Sequence, residues 1–489
     1  MRKLLLSSLL CLAFVLPAGA QHWSLTWEKI NAAGPRLKQI GVLATRHSKD
    51  ITASAWSVGC ETLDRDYAVF DNYKDYLGGL GVKSARIQSG WAKCEQKKGK
   101  YDFKWLDEIV SGIRGQGVQP WMCLCYGNPL YGANKTLGSR IFTDKETMDA
   151  WLKYVEATVK RYKDVVTEWE IWNEPNLRDN AKHPEAYAAL LLNTVETIKR
   201  IQPEAVIVGF GLSRMPVDFT SSVFEYLKER GKADILDYVS FHPYFENPDD
   251  AVPEIMALKE CVESYDPTVK LFQGECGCPS ILEWGHALRY YEWTEYSQAK
   301  WNARRMANDW TLGIRSSIFT LVDLQYPNML QSFGLVRMNL LKKPVYRRPS
   351  YYGVRHMANV LDGSAIPAGM LDYKANSHRE ISVSSISDRD GKVYGMMLWF
   401  SDRIPDDGLD FDIVDITVNG IDLKDPVYLE IITGRVYELP KYYGRNINGN
   451  MKMGDLPLWD SPVMVIERSH VPRGDMARAA ADKTTDVFN

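Results

Sequence analysis

The stretch TEWEIWNEPN (Thr167–Asn176) ends an apolar, aromatic run with an amide and a carboxylate, Asn173 and Glu174, and is stopped by Pro175. The run itself has the aromatic and β-branched character of a buried strand. A carboxylate at the end of such a strand is costly unless another group pairs with it or the protein uses it. What the other strands of the chain carry at their ends therefore decides between these two explanations.

Eight short β-rich runs alternate with longer helical patterns along the first two thirds of the chain. The predicted strands are Ala55–Gly59, Lys83–Gln88, Val118–Cys125, Val166–Trp172, Val206–Gly211, Tyr238–His242, Lys270–Gly274 and Ile314–Val322. The predicted helices include Trp105–Arg114, Met148–Tyr162 with Asp144 as N-cap, Ala186–Ile201 and Gln298–Thr311. This alternation is typical of a (β/α)8 barrel, an α/β fold. A doubly wound open sheet is the alternative, but it requires a glycine-rich phosphate turn after the first strand, and VGCETLDRD (Val58–Asp66) supplies none.

The pattern changes after about residue 360, where REISVSSISDRDGKVYGMMLWFSD (Arg379–Asp402) alternates apolar and polar residues around a turn. Short strands divided by Gly, Asp and Asn turns are typical of a β-sandwich. The predicted domains are a signal peptide (1–20), a lead-in segment (21–54), the catalytic (β/α)8 TIM barrel (55–360), a smaller C-terminal β-sandwich (361–470) and a flexible tail (471–489). Barrel support and glycan binding are both open roles for the sandwich, and the lack of a clear aromatic row favours support.

The first twenty residues have the three parts of a secretory signal. Arg2 and Lys3 precede the apolar run Leu4–Leu16, and Ala18-Gly19-Ala20 is a small-residue cleavage site. The run is too short to span a bilayer, so we expect export to the periplasm or medium rather than anchoring, with no membrane span. The net charge of −3 offers no basic surface for nucleic acid.

Two carboxylates follow strands that stand nearly opposite each other in an eight-stranded barrel. Glu174 follows the fourth strand and Glu275 the seventh, at the strand ends where such barrels place their chemistry. Cleavage of a glycosidic bond requires one carboxyl that protonates the leaving oxygen and one that attacks or shields the sugar. Either glutamate alone could be a structural carboxylate at a helix start, but the occurrence of both at these strands favours catalysis. The other polar or aromatic strand-end residues are Glu61, Asp64, Arg86, Trp91, Tyr126, Asn128, Asn173, His242, Tyr244, Asp323 and Gln325.

Three strand-end motifs, WNEPN (Trp172–Asn176), FHPY (Phe241–Tyr244) and QGEC (Gln273–Cys276), together resemble the clan A glycoside hydrolases. The segment RIQSGWAKCEQKKGKYDFKWLDEIV (Arg86–Val110) and the sandwich after the barrel are also similar to these enzymes. Within the clan the chain is most similar to glycoside hydrolase family 39, and it also resembles family 5. In one departure, FTLVDLQYP (Phe319–Pro327) lacks the tryptophan that many clan members place after strand eight.

The resemblance implies a retaining hydrolase that cleaves β-glycosidic bonds of a poly- or oligosaccharide by double displacement. Glu174 would be the general acid and base, and Glu275 the nucleophile. Arg86 and Tyr244 would hold Glu275 ionised and aimed, because charge-assisted hydrogen bonds stabilise a carboxylate.

The predicted substrate-binding residues surround these two carboxylates. Asn173 would bind the sugar 2-hydroxyl, and His242 would bind sugar or tune the acid. Aromatic residues after the second and seventh strands are candidates for stacking on a sugar face. The full predicted set is Asn173, Arg86, His242, Tyr244, Trp91, Asn128 and Trp284. Glu61 could bind a sugar hydroxyl or pair with Arg65, and the pairing is the favoured interpretation.

The sequence therefore predicts a glycosidase with a carbohydrate substrate and with no metal or other cofactor. A non-catalytic carbohydrate-binding barrel is one alternative, which two intact carboxylates disfavour. A metal-dependent barrel hydrolase is the other, and the strand ends show no His-x-His pair and no Asp/His cluster with ligand spacing. The sugar, exo or endo action, disulfide pairing and the oligomeric state are left open.

Overall fold

The computed structural model describes residues 27, 29, 30, 32, 34–439, 445–447, 449–471 and 473–474. The predicted signal peptide (1–20) lies outside the described residues, as does most of the predicted tail (471–489). Among the helices of these ranges, none is long and apolar enough to cross a membrane.

Within the described residues, eight parallel strands close into a barrel in chain order, and the last pairs back onto the first. They are β1 (Trp56–Gly59), β2 (Ser84–Gln88), β3 (Gln119–Leu124), β4 (Glu168–Ile171), β5 (Val206–Ser213), β6 (Tyr238–His242), β7 (Lys270–Cys276) and β8 (Arg315–Ile318). The eight predicted strands and the (β/α)8 fold class are confirmed. β8 ends earlier than predicted because the chain leaves the barrel for two hairpins, Leu324–Gln325 with Leu330–Gln331 and Val336–Met338 with Pro344–Arg347.

A helix follows each barrel strand in the described chain. The helices are α1 (Lys74–Gly79), α2 (Lys104–Gly115), α3 (Lys145–Tyr162), α4 (Pro184–Ile201), α5 (Val217–Lys228), α6 (Val252–Tyr265), α7 (Glu295–Thr311) and α8 (Pro349–Val360), and a short helix, Trp91–Cys94, lies in the loop after β2. The predicted N-cap of α3 is confirmed, since the Asp144 carboxylate accepts from the Thr147 backbone N–H at 2.8 Å.

Two antiparallel sheets form the C-terminal part. The larger sheet runs, in spatial order, through Ile366–Met370, Ile381–Ser387, Val393–Phe400, Val463–Glu467, Pro426–Glu430, Arg435–Glu438, Gln39–Leu43 and Arg473–Gly474. The smaller runs through Tyr373–Ala375, Asp412–Asn419, Asn450–Leu458 and Arg445–Ile447. Their buried apolar faces pack into one cluster. The strand from the predicted lead-in pairs with Arg435–Glu438, so that segment belongs to the C-terminal sheet.

Helix α7 lies between the barrel and the sandwich, and residues 295–310 are all buried. On the barrel side, Ser316 of β8 donates to the Asp309 carboxylate at 2.9 Å. On the sandwich side, the Lys300 ammonium lies 2.7 Å from the Asp460 carboxylate. Because α7 follows β7, the sandwich supports the strand that carries Glu275.

Candidate active site

Glu174 and Glu275 open into one cleft at the carboxyl ends of the barrel strands. Glu174 lies just beyond β4, and Glu275 is the penultimate residue of β7. Their side chains are only 10% and 12% exposed, and both line a cleft of about 410 Å³.

The chain leaves β4 through a constrained turn. Trp172 and Glu174 have φ angles of 70° and 51°, in the left-handed region that residues other than glycine rarely adopt. The Glu174 N–H donates to the Gly211 carbonyl at 2.8 Å, which fixes the turn against β5. Backbone strain of about 1–3 kcal/mol per residue is found mainly at functional sites. The turn directs the carboxyl over the barrel mouth.

The two carboxyls are close to each other. Nδ1 of His242 lies 3.1 Å from Oε1 of Glu174, and ligand atoms of Glu174, His242 and Glu275 all lie within 4.8 Å of one another. Glycosidase carboxyls that act by double displacement stand about 5–5.5 Å apart, whereas those that admit a water between them stand about 6.5–9.5 Å apart. The observed spacing therefore fits retention of configuration.

Glu275 is held by a cation and a phenol. Nη1 of Arg86 lies 2.7 Å from its Oε2, and the Tyr244 hydroxyl donates to its Oε1 at 2.9 Å. Burial alone raises the pKa of Glu275, but attraction by His242 and Arg86 and the hydrogen bonds from Tyr244 and Arg86 outweigh burial and leave this pKa below its ordinary value. Glu275 is therefore ionised at neutral pH, as a nucleophile must be.

Arg86 lies at the centre of the site and is wholly buried. Besides Glu275, its guanidinium donates to the Glu170 carboxylate through Nε at 2.8 Å and to the side-chain oxygen Oδ1 of Asn173 through Nη2 at 2.7 Å. The Asn173 amide nitrogen in turn donates to the Tyr126 hydroxyl at 2.9 Å. The structure thus brings together four of the predicted binding residues, Arg86, Asn173, His242 and Tyr244, with the two glutamates.

Two predicted substrate-binding residues, Trp91 and Asn128, lie outside the cleft, and these predictions are wrong. Trp91 has no exposed surface and packs among aromatic rings, with its indole N–H donating to Glu95 at 2.6 Å. The Asn128 side chain is also buried, where it donates to the Glu95 carbonyl at 2.8 Å and accepts from the Leu130 N–H. Both residues order the loops after β2 and β3 rather than facing a ligand.

Trp284, the third predicted aromatic contact, is not among the residues that line the cleft. The residue is 75% exposed, and its ring packs edge-on against Tyr290 with 6.1 Å between the ring centroids. The β7 loop instead presents His286, Ala287 and Leu288 to the cleft. Trp284 therefore lies on the exposed surface of this loop, and its contact with a sugar stays a prediction.

Several cleft residues were not predicted from the sequence. They include Gln88, Arg214, His286, Tyr326 and Gln331. The favoured pairing of Glu61 with Arg65 is wrong, because Glu61 accepts from Arg86 at 3.0 Å and Arg65 binds Asp64 and Gln88. Glu61 lines the cleft, so the other interpretation from the sequence, contact with a sugar hydroxyl, stays a prediction. The rings of His286 and Tyr326 come from two different loops, and their centroids are 4.7 Å apart. No periodicity in the sequence predicts the paths of these loops.

Glu174, His242 and Glu275 form the one group in the described part of the chain whose atoms could together ligate a metal ion. Both oxygens of Glu275, however, already accept hydrogen bonds from Arg86 and Tyr244. A cation bound there would lie beside the Arg86 guanidinium, which opposes it electrostatically. The donor set therefore fits carboxylate chemistry better than a metal centre.

Comparisons with known proteins find glycoside hydrolases both by sequence and by fold. The model of glycosyl hydrolases family 39 matches residues 84–274. A family 39 glycoside hydrolase from the gut symbiont Bacteroides cellulosilyticus superimposes with a TM-score of 0.63 at 20% identity, over 85% of this chain and 81% of that chain. A β-xylosidase from Caulobacter crescentus gives a TM-score of 0.53 at 16% identity, over 88% and 97%. At these identities the likeness concerns the fold.

Two curated proteins match shorter segments. An aryl-phospho-β-D-glucosidase of Bacillus subtilis is 25% identical over 111 residues, 22% of each chain. An intracellular exo-α-(1→5)-L-arabinofuranosidase of Streptomyces lividans is 21% identical over 257 residues, 48% of this chain and 37% of that protein. The chain thus spans well under half the length of these curated relatives.

The closed (β/α)8 barrel, with glutamates beyond β4 and at the end of β7, is similar in fold to solved glycoside hydrolases. The family that it resembles, through residues 84–274, is glycoside hydrolase family 39.

Proposed function

We propose that the protein is an exported glycosidase that cleaves β-glycosidic bonds of an oligo- or polysaccharide by double displacement, with Glu275 as nucleophile and Glu174 as general acid and base. The observation that carries this proposal is the position of both carboxyls within 4.8 Å in one cleft. Their neighbours differ as two roles require, because Glu275 contacts a cation and a phenol whereas Glu174 contacts an imidazole.

In the first step, an ionised oxygen of Glu275 attacks the anomeric carbon while Glu174 gives its proton to the departing glycosidic oxygen. A glycosyl ester on Glu275 and a free alcohol result. In the second step, Glu174 removes a proton from water, which attacks the same carbon and releases Glu275 as a carboxylate. Two inversions give net retention, and Glu174 regains its proton.

Asn173 is fitted to bind the sugar 2-hydroxyl. Arg86 and Tyr126 fix both ends of its amide, and the residue lines the cleft directly before Glu174. Hydrogen bonds to the 2-hydroxyl strengthen in the transition state and supply several kcal/mol. A pre-oriented amide supports this role because it needs no reorganisation.

A panel of nitrophenyl glycosides, with proton NMR of the first-formed sugar, tests the proposal. Sugars of the xylose and glucose type come first, since one structure of similar fold is a β-xylosidase and one curated relative is an aryl-phospho-β-D-glucosidase. The expected product keeps the β configuration, and chelators leave the rate unchanged. An α product from a β substrate, or loss of turnover with a chelator, would contradict the mechanism.

Export rests on the basic, apolar and small-residue parts of residues 1–20. Expression of the full chain in a bacterial host, followed by fractionation and N-terminal sequencing, tests it. The expected outcome is a mature protein that begins at Gln21 in the periplasm or medium. An uncleaved cytoplasmic chain would contradict export without affecting the catalytic assignment.

A further inference from the structure

The cleft contains a third carboxyl, Glu61, to which the mechanism above assigns no role. Glu61 follows β1, is 2% exposed and lines the cleft. Its Oε1 accepts from Nη1 of Arg86 at 3.0 Å. No described residue donates a hydrogen bond to its other oxygen, Oε2. A carboxyl oxygen that has no protein donor and belongs to a residue lining a cleft is a candidate ligand contact.

Glu61 lies next to the nucleophile. The same nitrogen of Arg86, Nη1, lies 3.0 Å from Oε1 of Glu61 and 2.7 Å from Oε2 of Glu275, so one NH2 group of the guanidinium donates to both carboxyls. A sugar whose anomeric carbon faces Glu275 therefore has part of its ring beside Glu61. Glu61 can therefore reach the bound sugar ring directly.

The balance of charges around Arg86 determines whether Glu61 is neutral or ionised when it contacts the sugar. Arg86 contacts three carboxyls, those of Glu61, Glu170 and Glu275, and one cation does not neutralise three buried anions. Glu170 takes two of the guanidinium hydrogen bonds, and Glu275 has Tyr244 as a second donor. Glu61 has the single contact from Arg86, so it is the carboxyl best suited to carry a proton.

The electrostatic surroundings agree with this choice. Burial raises the pKa of Glu61 to about 8, because the attraction of Arg86 does not offset burial and the repulsion from Glu275 and Glu170. A neutral carboxyl can donate a hydrogen bond as well as accept one, and it adds no charge that would oppose the negative charge of Glu275.

We propose that Glu61, in its neutral form, hydrogen-bonds a hydroxyl of the sugar that Glu275 attacks and thereby helps to select the glycone. The inference rests on the proposed function, since it requires a sugar in the cleft. It adds a substrate-contacting residue from the loop that follows β1.

The test combines enzyme variants with altered substrates. Glu61→Gln keeps the shape, the neutral charge and a donor, whereas Glu61→Ala removes the contact. Each variant is assayed for kcat/KM on the best nitrophenyl glycoside and on analogues that lack one ring hydroxyl each. Glu95→Gln, which alters a buried carboxyl outside the cleft, is the matched control. Urea denaturation at pH 7 checks the fold of each variant.

We expect Glu61→Ala to lose about 10- to 100-fold in kcat/KM on the parent glycoside and little on one particular deoxy analogue. Glu61→Gln should stay within about 10-fold of the wild type and keep its denaturation midpoint. Equal losses on the parent and all analogues, or failure of Glu61→Gln to fold, would overturn the inference and leave Glu61 as a structural partner of Arg86. If the wild type hydrolyses no glycoside, the proposed function itself fails, which is a distinct outcome.

Discussion

At the scale of single residues, two glutamates are given different tasks by their neighbours. Arg86 and Tyr244 stabilise the ionised form of Glu275 and lower its pKa, while Glu174 contacts His242 and lies in a strained turn. The chemistry is therefore set by a few atoms within hydrogen-bond distance. Variants that change one neighbour or one carboxyl should separate the two roles.

Glu174→Ala should slow natural β-linked oligosaccharides far more than nitrophenyl glycosides, because an activated phenolate needs little protonation to depart. General acid catalysis contributes about 10²–10⁴-fold, and the difference between the two substrate types should be of that size. Azide needs no general base, so it should restore turnover of the nitrophenyl substrate and give a β-glycosyl azide. Equal slowing of both substrates without azide rescue would show that Glu174 is structural.

Tyr244→Phe should move the acidic limb of the kcat/KM profile to higher pH. The hydroxyl donates to Glu275 at 2.9 Å, so its removal takes away one of the groups that keep the Glu275 pKa low. Activity requires ionised Glu275 and is lost as the pH falls through its pKa, which the variant raises. Tyr131→Phe, which removes a hydroxyl bonded to Glu95 outside the cleft, is the control and should leave the limb unmoved. If the acidic limb of Tyr244→Phe lay at the same pH as that of the wild type, the hydrogen bond from Tyr244 would not be what lowers the Glu275 pKa.

The residues found from the sequence are those that directly end or closely follow a barrel strand. Glu174, His242 and Glu275 were placed in this way, because strand geometry alone carries them to the barrel mouth. Trp91 lies only a few residues beyond β2, but the chain there enters a short helix that buries the ring. Long-range loop packing, which placed His286 and Tyr326 in the cleft, has no local sequence signal.

At the scale of elements, β7 positions the nucleophile through close packing against β6. A Cβ atom added at Gly274 would lie 2.1 Å from the Ser240 hydroxyl oxygen and 3.4 Å from Oε1 of Glu170. The strand therefore approaches its neighbour as only glycine permits, directly before Glu275. The Ser240 hydroxyl itself has no hydrogen-bond partner among the described residues.

Gly274→Ala should displace β7, with about 1–3 kcal/mol of lost stability from overpacking and a fall in kcat. Ser240→Ala removes the obstructing oxygen and should by itself change little. The double variant should recover a large part of the lost stability and of the lost kcat. With the hydroxyl removed, the nearest atom to the added Cβ is Cβ of residue 240, at 3.3 Å. Urea denaturation and steady-state kinetics on the four proteins measure the coupling. Strictly additive effects would contradict the packing argument.

At the scale of the whole molecule, the sandwich and the barrel share helix α7 and act as one body. The Arg304 guanidinium on this helix donates to the Ser401 and Arg403 carbonyls at 3.0 and 2.8 Å, and the Thr311 hydroxyl donates to Ser384 at 2.8 Å. The strand Gln39–Leu43 also joins the C-terminal sheet. We therefore expect one cooperative unfolding transition for both parts.

Asp460→Ala should destabilise the protein by about 3 kcal/mol, because it leaves the Lys300 cation buried without its nearest carboxylate. Lys300 is 1% exposed, and the variant leaves it the Gly408 carbonyl at 2.6 Å, Asp406 at 3.7 Å and the face of the Tyr296 ring at 4.6 Å. Asp149→Ala, which breaks an exposed pair with Lys145, is the control and should cost less than about 1 kcal/mol. Urea unfolding followed by circular dichroism and by fluorescence gives both free energies. Two separate transitions, or equal effects of the two variants, would contradict the shared interface.

In the proposed mechanism, Glu275 becomes covalently attached to the sugar. The most direct measurement is incubation with dinitrophenyl 2-deoxy-2-fluoro glycosides of the accepted sugar, followed by intact-mass and peptide mass spectrometry. We predict the addition of one glycosyl unit, located on Glu275 within the segment LFQGECGCPS (Leu271–Ser280), and no addition to Glu275→Gln. Glu174→Gln should still take up the label, since the activated leaving group needs no acid. A label on Glu61, Glu174 or Asp323 would contradict the assignment.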